Sequence, residues 1–138
     1  YNCKLPDCDI GINEKDVPDH AVLHELLHAR SIAYYPEIYS NYRNIEEASV
    51  ELLTQEIAKL EKIPLAFDDY KDLTNPLRKL NRSAKLFEKD IEFAQALFNQ
   101  DLSERVNWLK MKIFEFVSKK GGSVEDYLKF EKLIKIFE

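Results

Sequence analysis

The sequence predicts a mainly α fold in one domain, with strand or hairpin structure confined to a short N-terminal stretch. Three observations predict it. The 138 residues include 33 % charged and 45 % apolar side chains, arranged in long Leu/Ile/Phe/Lys/Glu stretches. Apolar positions such as Ile45, Ala48, Leu52, Ile57 and Leu60 recur at helical spacing. Only three Gly and five Pro interrupt the pattern.

The elements follow in order. Asp9-Ile10-Gly11-Ile12-Asn13 alternates polar with apolar or small residues, and Leu5-Pro6-Asp7 reads as a turn, so residues 1–15 are expected to form a strand or hairpin. A first helix is expected from Asp16, an N-cap with Asp19 at N3, to about Tyr34, and Pro18 in its first turn costs no intrahelical bond. Pro36 to Arg43 reads as a Tyr-rich connection. Asn44 is an expected N-cap for a helix over Ile45–Lys62, ended by Pro64. Residues 65–75 read as a loop or a short helix interrupted before Pro76, followed by a helical region over Pro76–Asn99 with a break near Asn81. Ser103 and Ser123 are expected N-caps of helices over 104–119 and 124–137, separated by Gly121-Gly122.

The length fits one core and one domain, residues 1–138: an N-terminal strand or hairpin (1–15), a pair of helices (16–62) and a helical support region (65–138). The net charge is −5 and the basic residues form no single stripe, so nucleic acid is not an expected partner. No apolar run is long enough to span a bilayer and no signal peptide is visible, so no membrane is expected and a cytoplasmic location is. Cys3 and Cys8 read as reduced thiols, with a disulfide or half of a small metal site as alternatives.

The chemistry concentrates in His24-Glu25-Leu26-Leu27-His28. On a helix, residues four apart leave the same face one turn apart, so both imidazoles can reach one cation. Glu25 lies at the next position round the helix. There it is badly placed to join the ligands and well placed to accept a proton from a water at the metal, the role of a general base. Glu46, Glu47 and Glu51 lie on the next helix and can complete the site. His20, four residues before His24, is expected one turn too far to ligate. No His is left for the far side of the site. Stabilising an oxyanion would need a Tyr, Arg or Lys, and Tyr34, Tyr35, Tyr39 and Tyr42 are near in sequence.

This pattern resembles the gluzincin metallopeptidases, which add a Glu from a following helix to a His-Glu-x-x-His pair. With eighteen residues between it and His28, Glu47 stands where aminopeptidase members carry that ligand. The segment Glu46-Glu47-Ala48-Ser49-Val50-Glu51-Leu52-Leu53-Thr54 is similar to their glutamate helix, and Glu51 occupies the place of an acidic residue that orients a ligand His. The resemblance covers residues 9–55 and is nearest to the compact minigluzincins and small phage-type zincins. Two features depart from it. Only about fifteen residues precede the helix, where larger members have a sheet of several strands, and Glu46 and Ala48 replace the residue types usual beside the ligand.

The resemblance implies an α+β zincin-like fold, one Zn²⁺ held by His24, His28 and Glu47, and hydrolysis of peptide or protein substrates by a zinc-bound water that Glu25 activates. Glu47→Ala is then expected to weaken metal binding and Glu46→Ala is not. The alternative is an inactive zincin-like module that binds metal in a regulatory or structural role. A helical di-iron protein shares the Glu25-x-x-His28 spacing, but it would need a second Glu-x-x-His, and the chain has none.

Overall fold

A computed structural model describes residues 17–31 and 36–138. These fold into helices α1 (Asp19–Arg30), α2 (Pro36–Asn41), α3 (Arg43–Glu61), α4 (Lys71–Ala84), α5 (Asp90–Phe98), α6 (Arg105–Lys119) and α7 (Val124–Ile134), with 3-10 turns at Leu102–Glu104 and Lys135–Phe137. The mainly α expectation holds, and no strand occurs among the described residues. The expected strand or hairpin at 1–15 and both cysteines lie outside them.

The longest helix, α3, is the axis of the molecule. It packs against α1, α4 and α5 and meets the C-terminal 3-10 turn. Burial along it is nearly continuous from Ile45 to Thr54, so it is enclosed rather than amphipathic. Ile45, Leu52, Leu77, Phe93, Leu109 and Ile113 are fully buried in one core joining α3 to α4, α5 and α6. Each such side chain is worth roughly 1.5–3 kcal/mol of transfer free energy. A half-buried ionic cluster supports the α3–α4–α5 junction: Arg78 bonds Glu56, Gln55 (2.8 Å) and Asp90 (3.1 Å).

Several boundaries differ from the sequence expectation, each for a local reason. α1 starts at Asp19 after Pro18, which is extended (ψ 151°) and has no side-chain cap, and Asp16 lies outside the described residues. The helix stops at Arg30 because Ser31 is extended, well before Tyr34. The expected connection after Pro36 contains the short α2. Asn44 sits inside α3 and donates to the Ile136 carbonyl at 3.1 Å, so it ties the helix to the C-terminus instead of capping it. α4 begins at Lys71 with Pro76 inside it, and the break before α5 falls at 85–89, where Lys85 is left-handed (φ 51°), not at Asn81. Asn81 remains helical while its side chain accepts from Phe87 N–H (2.8 Å) and donates to Asp90 (2.9 Å), bracing that break. Ser103 lies in a 3-10 turn and caps nothing.

Ser123 is an N-cap as expected, while the helix over 124–137 is α only to Ile134 and ends in the 3-10 turn Lys135–Phe137. The Ser123 hydroxyl accepts from Asp126 N–H, and Asp126 returns the bond to Ser123 N–H, a capping box. Gly121 has φ 62°, and the bonds Gly122 N–H to Val117 carbonyl (2.8 Å) and Gly121 N–H to Ser118 carbonyl (3.2 Å) close α6 as a Schellman motif.

Candidate metal centre

α1 and α3 face each other across a polar seam. His20, His24, Leu27 and His28 recur at the spacing that puts them on one face of α1, and all four are buried. That face meets the first turns of α3, where Glu46, Glu47 and Glu51 are also buried. Three histidines against three carboxylates could not be enclosed unless nearly every polar atom had a partner. Among the described residues no buried side-chain nitrogen or oxygen lacks one.

The structure brings together the residues the sequence singled out. His24 Nε2 and His28 Nε2 lie 2.9 Å apart, and Glu47 Oε2 is 3.3 Å from the first and 3.0 Å from the second. The three residues are 3 %, 5 % and 2 % exposed and could hold a metal ion. Ligand bonds of about 2.0–2.1 Å in a tetrahedral shell place neighbouring donors about 3.3–3.4 Å apart, close to this triangle.

The donor set itself tests the fit. His24 Nδ1 is 2.8 Å from Glu51 Oε1, and His28 Nδ1 is 2.8 Å from Glu46 Oε2. An ionised carboxylate only accepts, so each Nδ1 carries the proton and each Nε2 is left with its lone pair. Two lone pairs and a carboxylate oxygen therefore converge on one point, an arrangement that a cation there stabilises. Without a metal, a proton takes that place. Burial pulls the His24 pKa down, but the carboxylates of Glu47 and Glu51 outweigh it and raise it from 6.5 to about 9. The same histidines, with Tyr39, overcome burial at Glu47 and hold its carboxyl well below the usual range.

Each group is braced from behind. Tyr39 donates to Glu47 Oε1 at 2.7 Å, leaving Oε2 for the site. Behind His24, Glu51 accepts from His20 Nε2 (2.9 Å) and Gln55 (2.9 Å), while His20 Nδ1 accepts from the Ala66 backbone at 2.9 Å. His20 is thus a support for Glu51, consistent with its expected place outside the ligand set. Behind His28, Glu46 accepts from Ser31 (2.6 Å) and from Arg105 (2.9 Å). Arg105 is fully buried and also donates to Ser49, Ser31 and the Phe98 and Gln100 carbonyls.

Three roles were missed in the sequence. Glu46 is the partner of the second imidazole. Its place beside the ligand made it look like a rival to Glu47. Arg105 lies on α6, in the stretch that read only as helical support. The 63–70 segment covers the imidazoles: Phe67 stacks on His20 (4.0 Å, 7°) and Tyr70 on His24 (5.2 Å, 9°). Burial and the charges of Glu47, Glu25 and Glu51 raise the Tyr70 phenol to about 12, so it stays protonated beside the site. Tyr39 and Tyr42 take the bracing and packing roles, and Tyr34 and Tyr35 lie outside the described residues. Glu25 is half-buried on α1, and its charge acts on the Tyr70 phenol.

Among known proteins, no family model, no curated protein and no solved structure matches this chain.

Proposed function

We propose that this protein is a zinc-dependent metallopeptidase of gluzincin type that hydrolyses peptide bonds with Glu25 as its general base. The observation that carries the reading is the convergence of His24 Nε2, His28 Nε2 and Glu47 Oε2, with the far nitrogen of each imidazole held by a carboxylate. Two imidazoles and one carboxylate form the donor set of hydrolytic zinc sites, and the carboxylate–imidazole contacts are what such sites use to fix ligand orientation. A bound zinc would supply a Lewis acid that acidifies water and polarises a carbonyl.

The chain's own residues do the rest. Glu25 follows His24 on α1, outside the ligand triangle, where its carboxylate can take a proton from water and pass it to the leaving amine. The Tyr70 phenol is protonated and bonded to Glu47, and its proposed role is to turn that hydroxyl to the scissile carbonyl oxygen. Glu46, Glu51 and Tyr39 hold the ligands in register, so little reorganisation is needed when the reaction begins.

Burial of all three ligands to 5 % exposure or less supports a second reading, a zincin-like module that binds metal without turnover. One experiment separates the two. Metal content is measured after purification without chelator, for the wild type and His28→Ala, and cleavage of a mixed peptide library is compared for the wild type and Glu25→Gln at equal occupancy. The peptidase reading expects one zinc per chain, lost in His28→Ala, and cleavage that falls by several orders of magnitude in Glu25→Gln. Metal bound with no cleavage by the wild type would establish the second reading. Equal cleavage by both proteins would remove Glu25 as the base.

A further inference from the structure

The charge of this acidic chain is unevenly placed. Residues 105–138 carry eight Lys and Arg against five Asp and Glu, while the remaining residues carry twelve against twenty. The basic end folds as the α6–α7 hairpin and packs on α4. Where the three helices meet there is a cavity of about 690 Å³, none of whose lining residues belongs to α1 or α3. Its size is that of a small-molecule site.

Its walls are sorted by polarity. Phe116, Val117, Phe130 and Leu133 line the interior and are buried or half-buried, with Phe116 and Phe130 edge to face at 5.9 Å. Lys79, Lys120, Lys129 and Lys132 line it as exposed residues, from three different directions: α4, the end of α6, and α7. None of the four has a carboxylate partner among the described residues, and Lys120 Nζ lies 4.7 Å from the Phe116 ring centre. The one acidic lining residue, Asp126, is engaged in capping α7 through Ser123 N–H.

An apolar interior under a cationic mouth suits one class of ligand: a single-chain amphiphile with an anionic head. The chain would leave water among the aromatic and aliphatic residues, and the head would sit among ammonium groups that have no carboxylate partner among the described residues. A neutral chain would gain only the first contribution. A cationic one would meet four like charges. We infer that the α4–α6–α7 cavity is a binding site for a small anionic amphiphile, separate from the metal centre.

Isothermal titration of the full chain with dodecanoate, kept below its micelle concentration, tests this. One saturable site per chain is expected. Dodecylammonium and dodecanol should bind at least tenfold more weakly. The double variant Lys129→Glu/Lys132→Glu changes only exposed side chains, and circular dichroism verifies its fold. It should lose at least tenfold in affinity for dodecanoate while keeping the metal content of the wild type. The inference is overturned by the absence of saturable binding, by several equivalent sites, by equal binding of the ammonium chain, or by undiminished binding to the folded double variant.

Discussion

Arg105 Nη1 donates to Glu46 Oε1 at 2.9 Å across 59 residues of sequence, and both side chains are fully buried. Through this bond α6 holds the carboxylate that in turn holds the His28 imidazole. The C-terminal helices are therefore part of the candidate metal centre as well as its support. Breaking a buried ion pair from one side leaves an uncompensated charge, which typically costs about 3–5 kcal/mol. Arg105→Met is expected to destabilise the protein on that scale. Arg105→Lys should recover only part of the loss, because one ammonium cannot reach five acceptors spread around a guanidinium fork. Urea titration of the three proteins measures this, and an Arg105→Met midpoint equal to the wild type would refute it.

The Glu46–His28 contact revises one expectation from the sequence. Glu46→Ala was expected to leave metal binding intact, but removing Glu46 takes away the carboxylate that holds the His28 Nδ1 proton. Loss of such an outer partner typically costs about 10–100-fold in metal affinity. Glu46→Gln is the gentler test, and it should weaken zinc by roughly that factor in a competition assay, whereas Glu47→Ala should abolish tight binding. Glu46→Gln binding zinc as tightly as the wild type would show that the contact contributes nothing to the site.

Tyr70→Phe removes one hydroxyl next to Glu47 and His24 and retains the ring that stacks on His24. If the phenol donates to the reacting carbonyl, peptidase kcat should fall by about 10²–10³ with zinc content unchanged. Unchanged kcat would leave Tyr70 only its stacking on His24 and its bond to Glu47.

The metal-free protein should have a pH-dependent stability whose sign follows from the shifts. His24 is raised from 6.5 to about 9, so its contribution is complete below pH 6.5 and is lost as pH rises through 9. Glu47 is lowered from 4.5, so its contribution is present above that value and lost as pH falls below it. In chelator the melting temperature should be highest between about pH 4.5 and 6.5. Excess zinc should raise it, most clearly toward pH 9, where the proton no longer competes for His24. A chelated protein that melts at the same temperature at pH 6 and pH 9 would contradict the assignment of that proton.

Sequence alone determined what depends on local geometry. His24 and His28 had to share a face because four residues make just over one helical turn, and the same rotation sets Glu25 aside from them. Ser123, and Gly121 with Gly122, announced a helix start and a helix stop because caps are chemistry between near neighbours. Glu47 was reached by counting along a resemblance, and Glu51 likewise as the partner of a ligand ring. Tertiary structure decided which groups meet across long separations. Nothing in the periodicity of α6 distinguishes Arg105 from a solvated arginine; only its enclosure against Ser31, Glu46 and Ser49 does. Nothing near Tyr70 indicates that the chain returns after α3 to lay that ring on His24. Asn44, Asn81 and Ser103 looked like boundaries because their side chains bond backbone readily. Asn44 and Asn81 instead bond the Ile136 carbonyl and Phe87 N–H, groups brought to them by the fold.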